Sequence, residues 1–206
     1  MPIPTMITKA TAALTNTPPQ NTDRYHAWTC CHDEFYKYRL HRPTNQADID
    51  LLCLHLHCYL GNWGMFRNSK LVQHNFLIHR DVIDIIYDPK YKILWNADAK
   101  TIQANRRHIM QLIGEIKNYY NSMGISATDT LVSKVILGTI CCIPAFDTKV
   151  RNTLNGLDIS QTISSNSISN ICNIYLKNKN LFDKFWNNTY MRNVPFAKMI
   201  DFCLWQ

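Results

Sequence analysis

NYYNSMGISATDTLVSKVILGTICCIPAFDTKVRNTL, residues 118–154, is the stretch around which the rest of the chain is best read. It starts at the end of an apolar-striped segment and turns at Ser122-Met123-Gly124-Ile125-Ser126. A second helical run follows, which Thr128 or Asp129 can cap and which extends through Ile140. Pro144 separates that run from a further helix starting near Asp147. The order is helix, short turn, helix, apolar loop, and then an aspartate where the next helix begins.

Upstream of this stretch, apolar residues keep recurring at helical spacing. Ile102, Ile109, Leu112, Ile113, Ile116 and Tyr120 predict one long amphipathic helix over 99–120, and another is expected from about Lys70 to Tyr87, closed by Asp88-Pro89. Ile49, Leu52, Cys53, Leu56 and Leu60 lie on one stripe of a helix over 48–60. Tyr25, Trp28, Cys31, Phe35 and Tyr38 mark an earlier helix that Arg42-Pro43-Thr44 breaks. Residues 1–22, rich in Thr, Pro, Asn and Ala, read as a flexible N-terminal arm. Downstream, a polar loop is expected over 155–170, with shorter helices over 167–176 and 195–204. No segment alternates over strand length and no repeat occurs, so the expectation is an all-α fold with residues 23–206 as one helical domain.

Composition narrows the function classes. Twenty-two Lys and Arg against fifteen Asp and Glu give a formal charge of +7, with an isoelectric point near 9.0, which favours polyanionic partners. The first residues carry no basic n-region or apolar stretch, so no secretory signal is expected. Four of the eight cysteines (Cys53, Cys58, Cys172, Cys203) fall inside apolar helical patterns, and the vicinal pairs Cys30-Cys31 and Cys141-Cys142 cannot close an unstrained bridge. Reduced thiols, a cytoplasmic location and a soluble monomer away from membranes are the expectation. Cys30-Cys31-His32 lacks zinc spacing, and His55 and His57 point to different helix faces, so no metal or cofactor is expected. Phosphate-binding Gly-rich loops, Gly-x-Ser-x-Gly elbows and His-Glu-x-x-His helices are absent from the sequence, which removes nucleotide hydrolysis, serine hydrolases and zincins.

Residues 118–154 resemble the core of the helix-hairpin-helix DNA glycosylase superfamily, the apolar loop ending in Asp147-Thr148-x-Val150-x-Arg151 being the shared signature. The resemblance implies that Asp147 is a catalytic carboxylate facing a nucleotide flipped out of double-stranded DNA. Cleaving an N-glycosidic bond builds positive charge on the deoxyribose, and one carboxylate can stabilise that centre and orient the attacking water. The hairpin (Gly124, Ser126) and Lys134, Lys149 and Arg151 would hold the DNA backbone. The hairpin has one plain glycine where the superfamily usually has two. Counting back to where bifunctional members carry a nucleophilic lysine reaches Asp129 and its neighbours. A monofunctional enzyme, acting in base excision on a damaged or mismatched base or on a hypermodified base of viral DNA in antiviral defence, is therefore what the resemblance implies.

Tyr59-Leu60-Gly61-Asn62-Trp63-Gly64-Met65-Phe66-Arg67 also resembles a segment shared by a set of uncharacterised bacterial proteins. Trp63, Met65 and Phe66 can wall a base pocket or simply be core, and Asn62 and Arg67 can read a base edge or phosphate or close a turn. Asp147 has its own plain alternative as a helix N-cap. Two competing functions remain open: a DNA-binding module that has lost catalysis, and a helical protein-interaction domain.

Overall fold

The computed structural model describes residues 2–16, 23–187 and 192–206. Among the described residues there are eleven α-helices and no strand. They are α1 (Ile3–Asn16), α2 (Arg24–Lys37), α3 (Gln46–Asn62), α4 (Arg80–Ile86), α5 (Ala99–Ala104), α6 (Arg106–Ser122), α7 (Asp129–Gly138), α8 (Thr148–Asn155), α9 (Ser165–Lys177), α10 (Lys179–Asn187) and α11 (Phe196–Leu204). Their buried apolar side chains, from Met6 to Leu204, form one connected cluster.

The helix at the centre is α7. Every residue from Leu131 to Gly138 is buried, and α2, α3 and α6 all pack against it. Such a helix must be apolar all round, and Leu131-Val132-…-Val135-Ile136-Leu137 is so except for Ser133 and Lys134. Its N-terminus is capped as expected, with the Thr128 hydroxyl accepting from the Leu131 amide. Its C-terminal carbonyls cannot reach water and are met by α2. Trp28 Nε1 donates to Leu137 O at 2.8 Å, and His32 Nδ1 lies 2.8 Å from Thr139 O.

Three expectations need correction. Residues 3–16, expected as a loose arm, form α1, whose Met6, Ala10 and Leu14 bury against α10 and α11; residues 17–22 of that arm lie outside the described residues. The helix expected over 70–87 is two 3-10 turns (Lys70–Gln73, Phe76–His79) followed by α4. Ser69 and Asn75 accept from the Leu71 and Leu77 amides and restart the chain each time. The helix expected over 99–120 is broken at Asn105, whose side chain donates back to Thr101 O at 2.9 Å. α10 is a third short helix in this region and packs against α1.

A buried polar chain ties three of these elements together. His79 is fully buried, its Nδ1 2.8 Å from Tyr120 OH on α6 and its Nε2 3.3 Å from His57 Nδ1 on α3. Burial pushes the His79 imidazole down to about 3, with the nearby His57 adding to the effect. The folded state thus refuses a proton that the unfolded state takes up below about 6.5. Stability is complete above that pH and is expected to fall by up to about 1.4 kcal/mol per pH unit on the way down toward 3. Urea unfolding at pH 7.0, 6.0 and 5.0 checks this, with His79→Gln expected to flatten the slope. An equal slope in both proteins would assign the proton elsewhere, His32 being the next buried imidazole that desolvation pushes down.

Candidate functional site

Asp147 stands at the end of an unusual loop. Residues 139–146, between α7 and α8, are buried throughout, and a buried loop must find partners for its peptide groups inside the protein. Side chains supply them. The Ala145 amide donates to Asp201 Oδ1 on α11 at 2.9 Å, and the Phe146 amide to Ser133 Oγ at 2.7 Å. Thr130 Oγ1 donates to Phe146 O at 2.9 Å. Cys141 bends the loop at φ +57°, and its amide returns to Ile136 O at 2.7 Å. These contacts fix the backbone one residue before Asp147.

Asp147 is the N-cap of α8. Its Oδ1 accepts from the Lys149 and Val150 amides at 3.1 and 3.2 Å, so the plain capping role is present. Its Oδ2 receives Lys134 Nζ at 3.0 Å, the two side chains being 16% and 4% exposed. Lys134, expected beside the DNA backbone, is instead a buried partner of the carboxylate. An ionised carboxylate has about four acceptor positions, and these contacts use three of them. One acceptor position remains among the contacts of the described residues, on a side chain that is 16% exposed.

Behind this pair lies a box of aromatic rings and cations. Lys134 Nζ sits 4.6 Å from the centroid of the Trp63 ring. Trp63 meets Trp205 edge-on at 6.2 Å and Tyr25 at 5.9 Å. Lys198, also 4% exposed, lies 5.5 Å from the Trp63 ring and pairs with Asp201 at 3.3 Å. Trp63 Nε1 is buried and has no hydrogen-bond partner among the described residues. Sequence reasoning missed Arg24, Tyr25, Lys198, Asp201 and Trp205, which come from distant segments and carry no local signal.

The other residues singled out from the sequence divide among different places. Met65 and Arg67, with Lys70, wall a cleft of about 580 Å³ whose far side is the α6–α7 turn, including Asn121, Gly124 and Ser126. Two cations and no carboxylate line it. Gly124 turns the chain at φ +72°, a conformation that costs side-chain-bearing residues about 1 kcal/mol or more. Thr130 also lines the cleft; its hydroxyl donates to Phe146 O, one residue before Asp147, and Arg151 Nη2 reaches it at 3.3 Å. Phe66 turns inward onto His57, ring centroids 4.5 Å apart. Asn62 lies in a separate hollow of about 380 Å³ with His26, Cys30, His55 and Cys58. The structure thus joins Trp63, Lys134, Asp147 and Lys149 in one place and Met65, Arg67, Gly124 and Ser126 in another, with Thr130 and Arg151 between.

No protein-family model, curated protein or solved structure matches this chain. What it can do must come from the geometry.

No described helix is long and apolar enough to cross a membrane, and no three His, Cys, Asp or Glu side chains among the described residues are placed to hold a metal ion. Burial pushes the Cys53, Cys142 and Cys172 thiols up to about 12, and Cys141 and Cys203 upward as well, which leaves them poor nucleophiles near neutral pH.

Proposed function

We propose that this protein is a monofunctional DNA glycosylase of the helix-hairpin-helix kind, which hydrolyses the N-glycosidic bond of a damaged, mismatched or hypermodified base with Asp147 as its carboxylate. The observation that carries the reading is the position of Asp147. It sits at the tip of α8, anchored by a buried loop and partly exposed, and Thr130, whose hydroxyl bonds the residue before it, lines a cleft with two cations.

In this reading the α6–α7 turn and the cations Arg67 and Lys70 hold the phosphates of double-stranded DNA, and the target nucleotide leaves the stack beside α8. The remaining acceptor position of Asp147 orients a water molecule. The carboxylate faces the sugar as positive charge develops there, while Lys134 fixes the rotamer of the carboxylate from behind. Trp63 walls the space next to the pair.

The test is abasic-site formation on a panel of duplexes carrying oxidised, alkylated, mismatched and hypermodified bases, read as alkali-labile breaks. Wild type should open at least one substrate, and Asp147→Asn should lose about two to three orders of magnitude of that rate. Full activity in Asp147→Asn would remove the mechanism.

A second reading is favoured by one specific observation: a cap and a buried lysine already engage both oxygens of Asp147. A DNA-binding module that has kept the scaffold and lost catalysis fits this, and it predicts salt-dependent duplex binding with no product from any substrate.

A further inference from the structure

We infer that Arg24, Lys149 and Trp205 form a second backbone-binding shelf beside Asp147, which takes the phosphodiesters of a nucleic-acid strand after it leaves the cleft at the α6–α7 turn. The inference rests on the nucleic-acid reading above and adds to it a site that brings together residues 24, 149 and 205.

Charge matching around the two indoles is uneven. The deep cations Lys134 and Lys198 each have a carboxylate, Asp147 and Asp201. The outer cations do not: among the described residues, no ion pair involves Arg24 or Lys149, and both are exposed. Ring faces hold them instead. Lys149 Nζ lies 3.5 Å from the Trp205 centroid. The Arg24 guanidinium sits in the corner between two perpendicular rings, 5.1 Å from Trp63 and 5.2 Å from Trp205. An aromatic face fixes where a cation stands and uses none of its N–H groups. The five donors of Arg24 and the three of Lys149 thus remain available.

The shelf is continuous with the rest of the site. Trp63 faces it, while the next residue, Gly64, lines the cleft. Lys149 donates its own amide to Asp147. A strand bound by Arg67 and Lys70 can continue past Asp147 to Arg24 and Lys149, whose cations Trp205 holds in place. The occupant is the same nucleic-acid strand that the cleft at the α6–α7 turn is proposed to hold.

The experiment is anisotropy of a labelled duplex with a single tetrahydrofuran abasic site, titrated with the full chain between 50 and 200 mM salt. Arg24→Gln and Lys149→Gln should each weaken binding about tenfold at the lower salt and reduce the log–log salt slope by about one. Tryptophan quenching on titration should shrink in Trp205→Phe. Thermal midpoints within a few degrees of wild type would show that these exposed changes leave the fold intact. Wild-type affinity and slope in both charge variants, with both lowered in Arg67→Gln, would make the shelf internal packing and leave the cleft as the DNA site. Displacement by polyglutamate as readily as by DNA would overturn the inference in favour of an acidic peptide. No binding by wild type at 50 mM salt would end this inference and the nucleic-acid reading together.

Discussion

Replacing Asp147 with alanine should lower the unfolding free energy by about 3–5 kcal/mol, while Lys134→Met should cost less than about 2 kcal/mol. The two residues share one ion pair, and the asymmetry comes from what each change leaves behind. Without Asp147, the Lys134 ammonium stays inside at 4% exposure with no counter-charge. The alanine also removes the cap on the Lys149 and Val150 amides, adding about 1 kcal/mol. Without Lys134, Asp147 keeps both amides and has water access at 16% exposure, and methionine fills much of the lysine stem's volume. Urea titration at pH 7 reads the difference as a shift in midpoint at constant slope. Equal costs for the two variants would mean that the ammonium finds water when its partner goes, and that the pair is not sealed as described.

Gly138→Ala is the second large effect, and its sign is the test. Helix propensity alone favours alanine, by about 1 kcal/mol inside a helix and by less at a last residue such as Gly138. Here a Cβ would overlap the Tyr59 ring, coming within 2.7 Å of Cδ1 and closer still to Cε1. Both residues are buried, and the contact is where α3 crosses α7. Overpacking should therefore destabilise by about 1–3 kcal/mol net. Tyr59→Leu alone should also destabilise, but the double variant should recover part of the loss, giving a coupling energy of at least about 0.5 kcal/mol. The same crossing carries Trp63, the residue just after α3, to Lys134, so a shifted α3 would also move the aromatic wall behind Asp147. Stabilisation by Gly138→Ala would mean that the helices can separate there at no cost.

Particular residues show how far the sequence could be read. The stripe of α3 and the turn between α6 and α7 were legible because each is a local pattern, and Asp147 was legible as a helix start because capping is local. The break at Asn105 was hidden, since Ile102 and Ile109 stay in register across it, while the asparagine's amide and side chain both turn back to Thr101 O. α1 was hidden by weak apolar contrast: Met6, Ala10 and Leu14 keep helical spacing, but alanines and threonines surround them. One further signal lies in the sequence of α7 itself. A lysine inside Leu131-Val132-Ser133-Lys134-Val135-Ile136-Leu137 has no solvent face to occupy, so it needs a buried carboxylate, and the capping aspartate after the next loop was the natural partner. Trp205, Arg24 and Lys198 reach Trp63 only through the tertiary fold, which no window of sequence contains.

The central claim is that the carboxylate of Asp147 meets positive charge developing on a deoxyribose. Its most direct measurement compares the affinity of wild type and Asp147→Asn for two duplexes alike except at one position, one carrying a cationic pyrrolidine abasic analogue and the other the neutral tetrahydrofuran. Wild type is expected to prefer the cationic duplex by at least about tenfold, and Asp147→Asn to lose that preference while binding the neutral duplex as before. Equal affinity of wild type for the two duplexes, or a preference that survives in Asp147→Asn, would contradict it.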